Sequence, residues 1–267
     1  MPIHFCSLAS GSSGNCQFIA SEETRLLLDA GLSGRYIINA LEHIGESLTM
    51  VDGLLVTHEH TDHIKGLGVL YRKIRKPIFA TAETWDKIKG KTGDVDKEHQ
   101  RIIVPGVPFT IGDITVKPIA IPHDAVSPVA YGFMNHQAKL CVATDLGMCP
   151  DPLREEFYDC DLLMLEANHD VDMLMVGPYP YYLKRRILSD QGHLSNETAG
   201  HLIAGAVKQG SVRTVLLAHL SKENNVPELA YQTVGSIAED AGIRVGLDIQ
   251  LDLTYREKVG KVYHIRK

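Results

Sequence analysis

The chain has 267 residues, of which 44% are hydrophobic, enough for one large domain or two small ones with a packed core. It contains no apolar stretch near the roughly 18 residues of a membrane span, and its first residues lack a basic region followed by an apolar core, so we expect neither a span nor a signal peptide. The net charge of −6 argues against a protein that coats nucleic acid through bulk electrostatics, although bound divalent metals would offset it.

The chain contains 5 cysteines and no C-x-x-C pair. This pattern is typical of buried, inert thiols in a reducing compartment. Because neither a membrane span nor a leader is predicted, the pattern indicates a cytoplasmic protein.

Short apolar runs alternate with turns in the first third of the chain. Strands are predicted at residues 3–8, 17–20, 25–28 and 53–57, and helices at residues 37–44 and 64–74. The Gly/Ser-rich segment at residues 10–15 is either a loop that presents backbone N–H groups to a phosphate or an ordinary tight turn.

The strongest signal is the run that begins at His58, directly after an apolar strand and before a helix. It places His58, His60, Asp62 and His63 at H-x-H-x-D-H spacing. Neutral imidazoles and carboxylates are suitable ligands for zinc, manganese or iron. A surface patch with coincidental histidines is the alternative, and the spacing after a buried strand argues against it.

The remainder of the chain alternates strands and helices. Strands are predicted at residues 114–122, 139–144, 161–165 and 212–218, and helices at residues 195–208 and 227–241. Ser195 is the expected N-cap of the first of these helices, and Pro227 begins the second. His123, Asp145 and His219 each follow a strand and are candidates for further metal ligands. Helices on either side of a block of strands indicate two sheets with helices outside.

The chain also contains two segments with a similar sequence pattern. Residues 26–31 and 141–147 are both apolar strands that end in Asp-x-Gly, and each is followed later by a strand that ends at a histidine, His58 or His219. A duplicated half-fold would explain this internal similarity, and chance is the alternative.

These motifs resemble those of the metallo-β-lactamase superfamily over essentially the whole chain. The resemblance implies an α/β fold, the four-layer αβ/βα sandwich, as a single domain over residues 1–267 made of two similar halves. It implies two divalent ions, zinc or manganese, one held by His58, His60 and His123 and the other by Asp62, His63 and His219, with Asp145 as the bridge and Asp29 orienting a ligand. The fourth motif has no cysteine, unlike that of the cysteine-ligated lactamases. The third position of the run is His60, where the flavodiiron oxygen-reducing branch has glutamate, so the ligand set favours hydrolysis over redox chemistry.

In this chemistry a metal-bound water attacks the substrate, and Asp62 or Asp145 accepts its proton. The segments around Glu166 and His193 resemble motifs of tRNA 3′-processing nucleases. That resemblance implies that His193 donates a proton to the leaving group while Glu166 holds its tautomer. Leu165 and Asn168 depart from the histidine and threonine of that family, and a helix cap beside a histidine is the alternative.

Residues 192–196, together with residues 9–16, resemble the YycJ (WalJ) family of bacterial metallo-β-lactamase-fold proteins. This implies a metal-dependent exonuclease that acts on DNA from the 5′ end. Two other classes stay open: a hydrolase of a small thioester, lactone or cyclic phosphodiester, and a metal-stabilised binding module, against which the open coordination position argues. The basic runs at residues 72–76 and 184–186 are either solvated faces or walls of a substrate groove. Oligomeric state is not predicted.

Overall fold

A computed structural model describes residues 2–266. Within this range the strands fall into two seven-stranded sheets. The chain divides into two compact units, the first made of residues 2–120, 125–138 and 255–266 and the second of residues 121–124 and 139–254. The mixed sheets and their helices confirm the predicted α/β class.

The elements alternate along the chain as the sequence patterns predict. The strands are β1 (Ile3–Ala9), β2 (Cys16–Ala20), β3 (Arg25–Leu28), β4 (Gly53–Leu55), β5 (Ile78–Thr81), β6 (Gln100–Ile103), β7 (Phe109–Ile111), β8 (Ile114–Ala120), β9 (Val129–Met134), β10 (Lys139–Ala143), β11 (Leu162–Glu166), β12 (Thr214–Ala218), β13 (Gln250–Leu253) and β14 (Tyr263–Ile265). The helices are α1 (Gly34–His43), α2 (Thr61–Ile64), α3 (Leu67–Ile74), α4 (Ala82–Ile88), α5 (Asp151–Tyr158), α6 (Val171–Val176), α7 (Tyr181–Ile187), α8 (Asn196–Gln209) and α9 (Pro227–Asp240).

The first unit contains one complete sheet, with the strand order β14-β1-β2-β3-β4-β5-β6. The predicted pairing of β2 with β3 is confirmed and is antiparallel. β3, β4, β5 and β6 are parallel neighbours, so β3 and β4 end at the same edge. This edge therefore brings together Asp29, which follows β3, and the segment after β4 that leads into His58.

The second unit is built on parallel strands, β10 beside β11, β11 beside β12 and β12 beside β13. Every residue of β10 and β11 is buried, which explains why these strands read as continuous apolar runs rather than alternating ones. Because parallel strands end at one edge, the residues at or just after the ends of β10, β11 and β12 are neighbours. Asp145, Glu166 and His219 thus meet at this edge.

Packing of large apolar side chains holds each unit together. In the first unit Phe18, Leu27, Leu41 and Tyr71 belong to one buried cluster. Burial of a leucine or phenylalanine side chain stabilises the fold by about 1.5–3 kcal/mol. This buried cluster packs against the strands that lead to the candidate site.

The structure corrects the single helix predicted over residues 64–74. These residues span the end of α2 and the whole of α3, with a break between them. The chain breaks at Gly66, whose N–H donates to the carbonyl of Ala30 at 2.7 Å. A Cβ at this position would lie 2.2 Å from the carbonyl oxygen of Leu32, so the close approach of the two segments requires glycine and interrupts the helix. The strand predicted at residues 53–57 is shorter than expected and ends at Leu55.

Other local predictions are confirmed. Ser195 caps α8, and its hydroxyl accepts a hydrogen bond from the N–H of Thr198 at 3.1 Å. Pro227 begins α9. All 5 cysteines are free and buried. None of the helices within residues 2–266 has the length and apolarity needed to cross a membrane.

Candidate metal centre

Three of the predicted site residues have an unusual backbone conformation. Asp29, Asp145 and His219 follow β3, β10 and β12, and their φ angles are 62°, 61° and 54°. A non-glycine residue in this left-handed region is uncommon and carries roughly 1–3 kcal/mol of strain, which is typical of functional sites. Asp29 and Asp145, the aspartates of the two similar segments, therefore follow their strands in the same backbone conformation, one in each unit.

The glycines of the two Asp-x-Gly motifs are required by close packing. A Cβ on Gly31 would lie 1.6 Å from the carbonyl oxygen of Asp62, in the first unit. A Cβ on Gly147 would lie 2.3 Å from the carbonyl oxygen of Ser189, in the second. Each aspartate is thus followed by a backbone segment that another loop approaches directly.

Asp29 is the centre of a buried hydrogen-bond network in the first unit. Its carboxylate accepts from Nδ1 of His63 at 2.8 Å and from the N–H of Thr57 at 2.9 Å. Burial raises the pKa of Asp29, an effect that the bonds to His63 and Thr57 oppose. The hydroxyl of Thr57 donates to Asp29 at 3.0 Å and lies 2.9 Å from Nδ1 of His58. Asp29 therefore fixes the rings of His58 and His63, the orienting role that the superfamily resemblance implies.

The distances between candidate ligands in the first unit are close to those of atoms that share an ion. Nε2 of His58 and Nδ1 of His60 are 3.0 Å apart, and Nε2 of His63 and Oδ2 of Asp62 are 3.6 Å apart. Two ligand atoms about 2.0–2.2 Å from one tetrahedral zinc ion are separated by about 3.3–3.6 Å. The distance between Asp62 and His63 matches this spacing, and the distance between His58 and His60 is slightly shorter.

The Gly/Ser-rich loop at residues 10–15 supports this run of ligands. The N–H of Asn15 donates to the carbonyl of Asp62 at 2.8 Å, and its side chain accepts from the N–H of Gly11 at 2.9 Å. The N–H groups of Ser10 and Gly14 also bond to backbone carbonyls. These N–H groups donate to oxygen atoms of the protein itself, which favours the tight-turn interpretation over phosphate binding. Nδ2 of Asn15 lies 3.1 Å from Nε2 of His63, so the amide and a metal would compete for that lone pair.

Glu166 is the centre of the corresponding network in the second unit. Its Oε1 accepts from Nδ1 of His193 at 2.9 Å and from Nδ1 of His219 at 2.7 Å. Its Oε2 accepts from the N–H groups of Leu146 and Leu194 at 3.2 and 3.1 Å. Burial alone would raise the pKa of Glu166, but His193 and His219 lower it to about 2. Burial disfavours the charge on His193, yet Glu166 raises the pKa of this imidazole.

Asp145 and His123 are the remaining predicted metal ligands of the second unit. Oδ1 of Asp145 lies 3.4 Å from Nε2 of His219, which is again the spacing of two ligands of one ion. Asp145, Glu166, His193 and His219 form one group whose potential ligand atoms all lie within 4.8 Å of one another. The ring of His123 packs edge-on against that of His193, and burial lowers the pKa of His123.

Sequence reasoning assigned no supporting role to two residues of this unit. Asn168 donates to the carbonyl of His219 at 2.9 Å and so fixes a residue with a strained backbone. His169 is 1% exposed, and neither ring nitrogen has a hydrogen-bond partner among residues 2–266. Burial lowers the pKa of His169 to about 4. Both positions lie within three residues after Glu166, and polar residues just after a fully buried strand are the signal that could have identified them.

Comparisons with known proteins agree with this arrangement. Residues 24–220 match the family model of the beta-lactamase superfamily domain. Exodeoxyribonuclease YycJ of Bacillus anthracis is 39% identical over 265 residues, which cover 99% of this chain and 100% of the relative. The chain belongs to the metallo-β-lactamase superfamily and, within it, to the YycJ/WalJ family. Exodeoxyribonuclease WalJ of Streptococcus pneumoniae is 39% identical over 91% of both chains. The metallo-β-lactamase-fold protein YhfI of Bacillus subtilis superposes with a TM-score of 0.76 at 18% identity, over 99% of this chain and 100% of its own.

The metallo-β-lactamase fold implies divalent metal ions, and the side chains of both units fit them. The donors are imidazole nitrogens and carboxylate oxygens, the ligands that zinc and manganese accept. The buried carboxylate of Asp29 holds Nδ1 of His63, and that of Glu166 holds Nδ1 of His219. Nε2 is therefore the atom that each ring can offer to a metal. This carboxylate–histidine arrangement is the usual support of a metal-bound imidazole.

Proposed function

We propose that this chain is a two-metal nuclease that removes nucleotides from DNA in the 5′-to-3′ direction. Its relatives YycJ and WalJ are named exodeoxyribonucleases, which supports DNA as the substrate and an exonucleolytic mode. The structural observation that carries the proposal is the pair of Glu166 and His193, in which a fully buried carboxylate holds a partly exposed imidazole. Such a pair supplies the proton that the poor leaving group of a phosphodiester needs.

The proposed ligand set is the one that the superfamily resemblance implies. We assign one ion to His58, His60 and His123, the other to Asp62, His63 and His219, and the bridging position to Asp145. Three pair distances support this assignment, each measured within one unit: His58 to His60, Asp62 to His63, and Asp145 to His219. Zinc and manganese are the proposed metals because both accept this mixture of nitrogen and oxygen donors.

The protein residues have separate roles in the proposed reaction. When bound, the two ions lower the pKa of a water and withdraw charge from the phosphate. Asp62, whose side chain is 27% exposed, would accept the proton of the attacking water. Because Glu166 holds Nδ1 of His193, the mobile proton of that ring is on Nε2, from which it would pass to the departing sugar oxygen. The raised pKa of His193 favours the protonated form that this transfer needs.

Among the small-molecule alternatives, a thioesterase requires less of this machinery. A thiolate leaves a thioester readily without protonation, so a Glu166–His193 pair would have no role in a thioesterase. A dedicated proton donor is the feature that favours the phosphodiester reaction.

The proposal is tested with linear and circular single-stranded DNA in the presence of Mn²⁺ or Zn²⁺. We expect release of the nucleotide from a 5′-labelled linear strand before loss of a 3′ label, and no digestion of the circle. Asp62→Asn protein purified in parallel controls for a contaminating nuclease. Equal digestion of the circle would show endonucleolytic cleavage, and no digestion of either DNA would contradict the proposed function.

A further inference from the structure

Apolar side chains are unusually exposed around α7 of the second unit. Tyr181 and Tyr182 are 72% and 75% exposed, and Val176, just before them, is 87% exposed. Isolated exposed apolar residues are ordinary, but a run of them indicates a surface that another molecule covers. Tyrosine is well suited to such a surface because its flat ring loses little conformational entropy when it is covered.

The helix arranges these rings in a regular way with basic side chains. Arg185 is four residues after Tyr181, and Arg186 is four residues after Tyr182. Residues at i and i+4 lie on the same face of a helix, so α7 presents two parallel Tyr–Arg rows. Both arginines are exposed, and Arg185 forms no side-chain hydrogen bond or ion pair within residues 2–266.

Lys184, the remaining member of the basic run, has a structural role. Its ammonium group donates to the carbonyls of Met175 and Gly177 at 2.7 and 2.8 Å. The amine thus closes the connection between α6 and α7, so that α7 is held firmly although it is only seven residues long. The basic run is therefore not a uniform charged face, because its three members have different roles.

Two contacts connect α7 to the candidate metal centre within the same unit. The guanidinium of Arg186 forms an ion pair with Asp124, the residue after His123. At the end of the helix, the carbonyl of Ile187 accepts a hydrogen bond from the N–H of His193 at 2.9 Å. The Tyr–Arg rows are thus fixed in position relative to the proposed proton donor.

We propose that Tyr181, Tyr182 and Arg185, here called the α7 aromatic surface, bind the bases and backbone of a single-stranded nucleic acid. This inference rests on the proposed function and names the substrate more closely, as a DNA strand that is unpaired where it crosses α7. The tyrosine rings stack on successive bases without regard to sequence, and the free guanidinium binds a phosphate. The local chemistry of α7, an exposed guanidinium beside two exposed aromatic rings, favours a ligand that carries both phosphates and stackable bases.

The test measures binding separately from cleavage. The wild-type metal-loaded protein is titrated into a fluorescent phosphorothioate oligothymidine that resists hydrolysis, and binding is followed by fluorescence anisotropy. We expect Tyr181→Ala and Tyr182→Ala each to weaken binding by about 5- to 150-fold, the range for loss of one stacked base, and the corresponding phenylalanine variants to bind within about twofold of wild type. Arg185→Gln should make the slope of log Kd against log salt concentration shallower, by the amount expected for the loss of about one phosphate contact.

Tyr231→Ala is the matched control, because Tyr231 is a surface tyrosine of α9 that is 37% exposed, and it should bind as wild type does. Unchanged binding by both α7 alanine variants would overturn the proposal, as would a wild-type dimer that Tyr182→Ala converts to a monomer. Digestion of unmodified DNA by the wild type is measured in parallel. Tyrosine-dependent binding without digestion would support the α7 aromatic surface and contradict the nuclease, whereas digestion with tyrosine-independent binding would overturn the surface alone.

Discussion

Oε1 of Glu166 lies 2.7 Å from Nδ1 of His219. The same oxygen also accepts from His193, so one buried carboxylate orients both a proposed metal ligand and the proposed proton donor. The two histidines are 26 residues apart in sequence and depend on a single group. We therefore expect Glu166 to couple metal binding to proton transfer in the second unit.

Glu166→Gln should impair both functions at once. The amide keeps the size of the side chain, but its NH₂ group would face either the imidazoles or the N–H groups of Leu146 and Leu194. We expect metal affinity to fall by about 10- to 100-fold and turnover to fall further. Measurements are bound metal after dialysis and kcat on single-stranded DNA. Glu156→Gln, at a buried glutamate paired with Lys139, is the control, and normal metal content in Glu166→Gln would contradict the shared role.

Much of the site was predictable because parallel strands end at one edge. Asp145 and His219 were identified by their place after apolar strands, and the structure puts their side chains 3.4 Å apart. The contact of Glu166 with His219 was not predicted, since it depends on register: Glu166 pairs with Ala218, the residue before His219. No local pattern specifies the register of strands that are 48 residues apart in sequence, from Glu166 to Thr214.

Other features depend on contacts that sequence patterns do not encode. The helix predicted over residues 64–74 is interrupted at Gly66 because the segment after β3 packs against its backbone. Lys184 belonged to a run that indicated a charged face, yet its ammonium group binds two carbonyls. The motif residues themselves were easier to predict, since their chemistry is evident from residue type and spacing.

His193→Ala should slow DNA cleavage strongly, because the departing sugar oxygen loses its proton donor. A loss of about 10²–10⁴-fold in kcat is expected. Hydrolysis of bis(p-nitrophenyl) phosphate should fall much less, since nitrophenolate leaves without a proton. The comparison of the two substrates at equal metal loading is the measurement. An equal loss on both would indicate that His193 has a structural or metal-binding role instead.

Asp62→Ala should abolish hydrolysis and leave the fold largely intact. Asp62 is partly exposed and lies in the first turn of the short helix α2, so its removal opens no cavity in the core. We expect a loss of more than about 10²-fold in turnover, because the variant loses a metal ligand and the proposed proton acceptor. Circular dichroism verifies the fold. Turnover near the wild-type rate with metal in excess would refute the role.

His169 should make the fold less stable in acid. Its pKa is 6.5 when unfolded and about 4 when folded, because burial opposes the charged form. Between these values the unfolded chain binds the extra proton, so the free energy of unfolding falls as the pH falls, by up to about 1.4 kcal/mol per pH unit from this group. His169→Gln should show a shallower decline in urea titrations from pH 6.5 to 4. The exposed His201→Gln is the control, and identical slopes for wild type and His169→Gln would contradict the expectation.

The central claim is that two divalent ions held by this chain hydrolyse DNA. The most direct test removes metal with a chelator and then adds Mn²⁺ or Zn²⁺ in steps, while bound metal and nucleotide release from linear single-stranded DNA are measured on the same samples. We expect no release without metal and full activity as occupancy reaches about two ions per chain. Release of nucleotides with chelator in excess, or two bound ions with no release, would contradict the claim.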